Sequence, residues 1–248
     1  GNSANLSVGL RGGGLDEAPD QFERQSGEIG AAMTTEKGSF ITIEGIDGCG
    51  KSTQAAELCT WLESALGSGK VLRTFEPGGW SGGALLRQLL LDGMALTSRT
   101  ELLLFLADRS GHLDSEVLPA LNRGQWVVCE RYTDSTLAYQ SWGRGIAAEE
   151  IEGLLAWCRF PVPDMTIFLD VDEETARSRL SARRKLDRME SEGEAGFAAR
   201  VVLGYRELAR RHPGRIVVVD AAADVRRVAE QVRGHVERHR LERYRGER

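Results

Sequence analysis

The 248-residue chain is 41% hydrophobic and 28% charged, with a net charge of −5, an ordinary globular make-up with ample material for a core. The length allows one large α/β domain or two small ones, and the acidic balance speaks against a general nucleic-acid binder. No run approaches eighteen continuous apolar residues and no basic-then-apolar leader opens the chain, so a cytoplasmic protein with neither a membrane nor a nucleic acid as partner is expected.

Residues 1–38 carry no apolar period: Arg11 is followed by Gly12, Gly13 and Gly14, with Asn2, Ser3, Asp16 and Pro19 around them. That composition predicts a disordered tail or upstream extension, with Met33 as the expected native start. Phe40-Ile41-Thr42-Ile43 is apolar and β-branched, the pattern of a buried parallel strand. Gly45-Ile46-Asp47-Gly48-Cys49-Gly50-Lys51-Ser52-Thr53 comes next, and then Ala55, Leu58, Leu62 and Leu66 recur at helical spacing. Strand, glycine-rich turn ending Gly-Lys-Ser, and helix form the context of a phosphate-binding P-loop. The glycines let successive N–H groups turn inward around a polyphosphate, and the helix N-terminus adds partial positive charge. Lys51 then reaches the β/γ oxygens and Ser52 ligates Mg²⁺, which makes residues 45–53 the expected site for a nucleoside triphosphate.

Further strands are predicted at Lys70–Phe75, Trp126–Cys129, Met165–Leu169 and Ile216–Val219. Helices are predicted at Ala84–Leu91, at Leu102–Leu121 with an interruption near Gly111, and at Glu149–Cys158. Thr97 to Glu101 offers capping residues for the long helix. Repeated βα units with apolar strands imply a doubly wound, five-stranded parallel sheet with helices on both faces. Ligands in such sheets lie beyond the strand C-termini, where Glu44, Asp47, Glu76, Glu130, Arg131 and Asp170 fall. The four cysteines are scattered without a C-x-x-C pair, and Cys129 and Cys158 read as core filler. Arginines from Arg226 to Arg248 alternate with glutamates as on a solvated helix face.

A P-loop leaves the reaction open, but three more stretches narrow it. They are Glu76-Pro77-Gly78-Gly79 after the second strand, Phe105-Leu106-Ala107-Asp108-Arg109 in the long helix, and Glu130-Arg131-Tyr132-Thr133-Asp134-Ser135-Thr136-Leu137-Ala138-Tyr139-Gln140 after the third strand. With the P-loop, and in this order, they resemble the thymidylate kinase family from about Ser39 to beyond Asp220. The resemblance implies a P-loop nucleoside monophosphate kinase-like fold, transfer of the γ-phosphoryl of ATP to dTMP giving dTDP, Mg²⁺ as cofactor, and a homodimer. It implies a kinase domain over 39–240, a lid at about 172–192, and a charged tail at 241–248.

The resemblance also assigns roles. Arg131 would hold the acceptor phosphate, Phe105 would stack on thymine, and Arg109 and Thr136 would meet the base edge. Tyr139 would crowd the sugar 2′ position, Asp47 would contact the 3′-hydroxyl, and Ser135 and Gln140 complete the dTMP set. Glu130, with Ser52, would serve Mg²⁺. Cys49 occupies a P-loop position where some relatives carry a basic residue, so the charge would come from the cluster Arg177, Arg179, Arg183, Arg184, Lys185 and Arg188 on a closing lid. Arg183 and Arg188 match best and join Lys51 and Arg131 as the expected catalytic set. The pattern departs at Phe75, where an arginine is usual, and at Glu130, where an aspartate is. Glu-Arg at 130–131 also occurs in deoxynucleoside kinases, for which Glu44 could act as base. A P-loop regulatory switch is the remaining alternative, but it leaves Phe105 and Arg109 without a role.

Overall fold

The computed structural model describes residues 38–92, 95–183 and 196–246, without the side chains of 182, 183 and 244–246. The expectations for residues 1–37, for Arg188 and for the lid from 184 to 192 lie outside the described residues, and those for the Arg183 side chain with them.

Five strands form one parallel sheet: β1 (Phe40–Glu44), β2 (Val71–Phe75), β3 (Trp126–Glu130), β4 (Met165–Asp170) and β5 (Ile216–Asp220), in the order β2-β3-β1-β4-β5. Every residue of β1 and β3 is buried, as strands covered on both faces must be. Ile41 and Ile43 point to one face, where Ala55, Leu58 and Leu62 of α1 (Lys51–Leu66) pack with them. Phe40, Val127 and Cys129 point to the other, against Leu113, Val117 and Ala120. The register sets Ile43 opposite both Glu130 and Ile167, so the turns after β1, β3 and β4 open at one edge.

Between β2 and β3 lie α2 (Gly83–Leu91), α3 (Ser98–His112) and the short α4 (Leu118–Asn122). Thr97 caps α3, its hydroxyl accepting from the Thr100 N–H at 3.2 Å. The break expected near Gly111 falls later. α3 runs through Gly111, whose missing side chain makes room for the Trp80 ring, where a Cβ would come within 2.4 Å. The helix then widens into a π turn over Leu113–Val117, closed by the Leu118 N–H on Leu113 O. Pro119 accounts for this, because it has no N–H to return to the carbonyl four residues back.

After β3 come α5 (Thr133–Thr136), a second π turn over Leu137–Gly143, and α6 (Ala148–Cys158). Cys129 is core as expected, whereas Cys158 is only half-buried. α7 (Glu173–Arg183) comes after β4, and α8 (Phe197–Arg211) leads to β5. The last helix, α9 (Val225–Gly246), runs through position 240, where a tail was expected. Its stripe Val228, Val232 and Val236 joins the core, and Arg243 holds its far end by donating to Gly38 O at 3.2 Å and pairing with Asp164 at 3.3 Å.

Candidate active site

The turn from β1 into α1 is shaped by the freedom of its glycines. Gly48 has φ 84°, and a Cβ there would lie 2.3 Å from the Ala176 carbonyl of α7. Only glycine tolerates both constraints. Gly50 caps α1 from the left-handed region, and Ile46 is buried beneath the turn. Lys51, the first residue of α1, donates to Gly45 O at 3.0 Å, Ile46 O at 2.9 Å and Asp47 Oδ1 at 3.1 Å. Its ammonium therefore lies within the loop, over the N-terminus of α1, where phosphate oxygens are favoured. Thr53 is half-buried in the first turn. Cys49 is buried and its thiol is pushed up by that burial, so it carries no charge into the loop.

Beside the loop, Ser52 donates its hydroxyl to Glu130 Oε2 at 2.6 Å. Arg73 holds the other carboxylate oxygen at 3.0 Å. The two residues expected to serve Mg²⁺ are thus neighbours, Ser52 in the first turn of α1 and Glu130 at the end of β3, and both offer hard oxygen donors.

Arg131 takes a left-handed backbone, φ 66°, which lets its N–H reach Ile43 O at 3.0 Å. Its guanidinium pairs with Asp47, donates to the Tyr139 hydroxyl at 3.1 Å and lies 4.8 Å over the Tyr139 ring. Burial would push the Asp47 carboxyl up, but Arg131 and Lys51 outweigh it and hold the group well below the usual carboxylate range. Ser135 lines the same cleft, yet its hydroxyl is donated to Glu44. Glu44 itself is fully buried, accepting also from the Tyr132 N–H at 2.7 Å and the Tyr205 hydroxyl at 2.9 Å. Burial and the nearby Asp134 raise its pKa. With these partners, Glu44 is a structural acceptor and not the base a nucleoside kinase needs.

At the far end, Phe105 is half-buried on α3, one turn before Arg109. Arg109 is 2% exposed, with Nε on Glu76 Oε2 at 2.7 Å and Nη1 on the Thr136 hydroxyl at 2.8 Å. Gln140 is also buried and donates to Glu101 at 2.9 Å. A single cleft runs from Asp47 and Lys51, past Arg131 and Tyr139, to Phe105, Arg109, Thr136 and Gln140, and it combines a few charged and polar groups with apolar side chains as small-molecule sites do. Phe75, Leu91 and Phe105 supply its apolar lining.

A family model for thymidylate kinase matches residues 43–232, which spans the whole of this cleft. The chain belongs to the thymidylate kinase family. It is 48% identical over 204 residues to a thymidylate kinase of Leifsonia xyli subsp. xyli, covering 81% of this chain and 95% of that one. With a thymidylate kinase of Bordetella petrii it shares 46% identity over 206 residues, 82% and 97% of the two chains. The crystal structure of thymidylate kinase from Ehrlichia chaffeensis superposes with a TM-score of 0.67 at 34% identity, over 81% of this chain and 98% of that one.

Within this thymidylate kinase framework, several contacts in and around the cleft escape sequence reasoning. Glu76 is read in the turn after the second strand, at the ligand edge, but its contacts are not: it anchors Arg109 and shares a hydrogen bond with His112 Nδ1 at 3.0 Å. Asp108, inside a stretch singled out for its neighbours, receives the Gly78 N–H at 2.9 Å and Trp80 Nε1 at 3.0 Å, fixing the Glu-Pro-Gly-Gly turn. Arg87 of α2 lies 5.3 Å over the Phe75 ring and donates to Pro77 O at 2.7 Å. A guanidinium therefore reaches the cleft near Phe75, where the family's usual arginine is missing. A buried trio of Glu76, His112 and Cys129 has donor atoms close enough for a metal, but Glu76 is committed to Arg109 and no charge is left over. On α7, Arg177 pairs with Glu173, and Arg179 donates to Ala221 O at 2.8 Å, away from the cleft.

Proposed function

We propose that this chain transfers the γ-phosphoryl group of ATP to dTMP, giving dTDP. The observation that carries this reading is the continuity of one cleft from the P-loop lysine to the buried Arg109–Thr136 pair, with Arg131 midway. A nucleoside monophosphate bound with its base at Arg109 would present its phosphate near Arg131 and Lys51. Planar, forked donors such as Arg131 suit a phosphate dianion. Phe105 would stack on the thymine, Tyr139 would crowd the sugar 2′ position, and Asp47 would accept from the 3′-hydroxyl.

Catalysis in this reading is positioning plus charge stabilisation. Lys51 neutralises the transferred group. Arg183 and Arg188, from a lid proposed over 172–192 within a domain of 39–240, add charge on closure. Ser52 and Glu130 would hold Mg²⁺, which supplies neutralisation of the phosphate oxygens when bound. The acceptor phosphate is already an anion, so no general base is needed, in keeping with the commitment of Glu44 to Tyr132, Ser135 and Tyr205.

A homodimer is part of the same proposal. Trp157 at 81% exposure and Val162 at 75% are apolar surfaces that a second copy could cover, and light scattering measures the state. The cytoplasm, which holds the nucleotide pools, is the proposed location. A coupled assay of ADP release with dTMP, dUMP, thymidine and no acceptor tests the function. The expected result is strong dependence on dTMP with little release for thymidine; equal release without acceptor would sink it.

A further inference from the structure

We propose that Glu101, which does not itself face the reacting groups, is a specificity-determining residue: it fixes the orientation of the Gln140 amide and so selects a thymine edge over a cytosine edge. The inference rests on the dTMP kinase reading and adds a reason for its base preference.

Glu101 lies in the first turn of α3 and is 1% exposed. Its carboxylate accepts from Gln140 Nε2 at 2.9 Å, Arg144 Nη2 at 3.0 Å and Arg144 Nε at 3.3 Å. A carboxylate paired with a guanidinium is an acceptor and has no proton to give. The amide of Gln140 must therefore turn its NH₂ toward Glu101, whichever way its two ends might otherwise lie. With Nε2 held on the Glu101 side, the opposite end of the amide, the acceptor Oε1, is turned toward the cleft that Gln140 lines. Arg109, beside it in the cleft, can only donate.

Arg109 and Gln140 thus offer one donor and one acceptor in a fixed order, next to the Thr136 hydroxyl, which can turn to serve either. Thymine shows the complement, an accepting O4 and a donating N3–H. Cytosine shows the reverse, a donating N4–H₂ and an accepting N3, so both contacts would oppose like to like. In a buried site, groups left facing the wrong partner are costly, and such sites discriminate strongly. Glutamine at position 101 would remove the constraint. Its own amide can donate to Gln140 Oε1, which frees Nε2 to face the cleft and donate to a cytosine-like N3.

The test compares kcat/KM for dTMP and 5-methyl-dCMP, which share the ring methyl and differ in edge polarity. Wild-type enzyme should prefer dTMP by about 10²-fold or more. E101Q should narrow that ratio at least about tenfold, by a rise with 5-methyl-dCMP as well as a fall with dTMP. A purely structural role would produce no such rise. E101D keeps a carboxylate and should retain the preference. Q140L should lose most of it, and the E101Q/Q140L double variant should lose no more than Q140L alone. An unchanged ratio in E101Q, or losses that add in the double variant, overturn the proposal. Should E101Q not fold, Q140L still tests the edge reading on which Glu101 acts: preference retained there overturns the proposal. A wild-type enzyme inactive on dTMP would instead sink the kinase reading itself.

Discussion

Nε of Arg109 sits 2.7 Å from Oε2 of Glu76, and neither side chain exposes more than 3% of its surface. The second carboxylate oxygen meets His112 Nδ1 at 3.0 Å, and His112 Nε2 lies 2.6 Å from the Thr74 hydroxyl. A buried charge pair satisfied on this many sides is costly to break from one end, typically by about 3–5 kcal/mol. E76A should therefore lose about that much stability in urea unfolding, and its KM for dTMP should rise as Arg109 loses its anchor. A variant that unfolds at the wild-type midpoint would show that the pair is dispensable.

Asp47 and Arg131 set a pH dependence. Burial opposes the charge of Asp47, yet Arg131 and Lys51 hold its pKa below the usual range. A depressed folded-state pKa contributes stability that is present above the unfolded value of about 4 and is lost as pH falls further. R131A removes the larger of the two cations acting on Asp47. The stability gap between wild type and R131A should consequently be widest near neutrality and shrink below about pH 4. Equal gaps at pH 7 and pH 3 in denaturant titrations would contradict this. The same variant should raise KM for dTMP, in line with the proposed role of Arg131 in gripping the acceptor in the ground state.

Glu44 gives the opposite sign. Burial and Asp134 raise its pKa, so its ionised form costs the folded state more at high pH than at low pH. E44Q should narrow the fall in stability that sets in as pH rises above the unfolded carboxylate value of about 4. Because Glu44 touches Tyr132, Ser135 and Tyr205 and not the acceptor, kcat with dTMP should fall less than about tenfold, well short of the 10²–10⁴ that loss of a general base produces. A loss of about 10³-fold would revive the nucleoside kinase alternative.

Lys51 and Arg183 should separate in kinetics. K51A removes the P-loop charge together with its bonds to Gly45, Ile46 and Asp47, so turnover should vanish in a chain that still folds, with circular dichroism to check the fold. R183A, if the lid arginine acts mainly in the transition state, should lower kcat by about 10³-fold and leave KM for dTMP nearly constant. Near-normal kcat in R183A would reduce the α7 arginines to surface charge.

The sheet and the P-loop are legible in the sequence because β-branched runs and a glycine-rich turn act over a few neighbouring residues. Phe105, Arg109 and Arg131 are visible through motif spacing. The contacts that hold them are not. Glu76 reaches Arg109 across thirty-three positions and His112 across thirty-six, and nothing local marks such a pairing. The π turns are equally silent, since a hydrogen bond five residues long leaves no periodic trace. Even Pro119, the cause of the first, sits two residues beyond the turn it opens. Val228, Val232 and Val236 do show the buried stripe of α9, but the surrounding arginines and glutamates draw attention to its solvent face.

The second π turn, Leu137–Gly143, makes chain length here more tightly constrained than composition. Arg144 N–H returns to Tyr139 O, five residues back, at 2.9 Å. Losing any one residue of this turn would restore ordinary α-helical bonding and swing the downstream chain by about 100°. Arg144 would then leave Glu101, and either Tyr139 or Gln140 would leave the cleft. Substitutions at the less buried Leu137, Ser141 and Trp142 can be absorbed one at a time, but a single-codon deletion cannot. Natural variants of this enzyme should therefore differ in spelling at those three positions and keep the number of all seven.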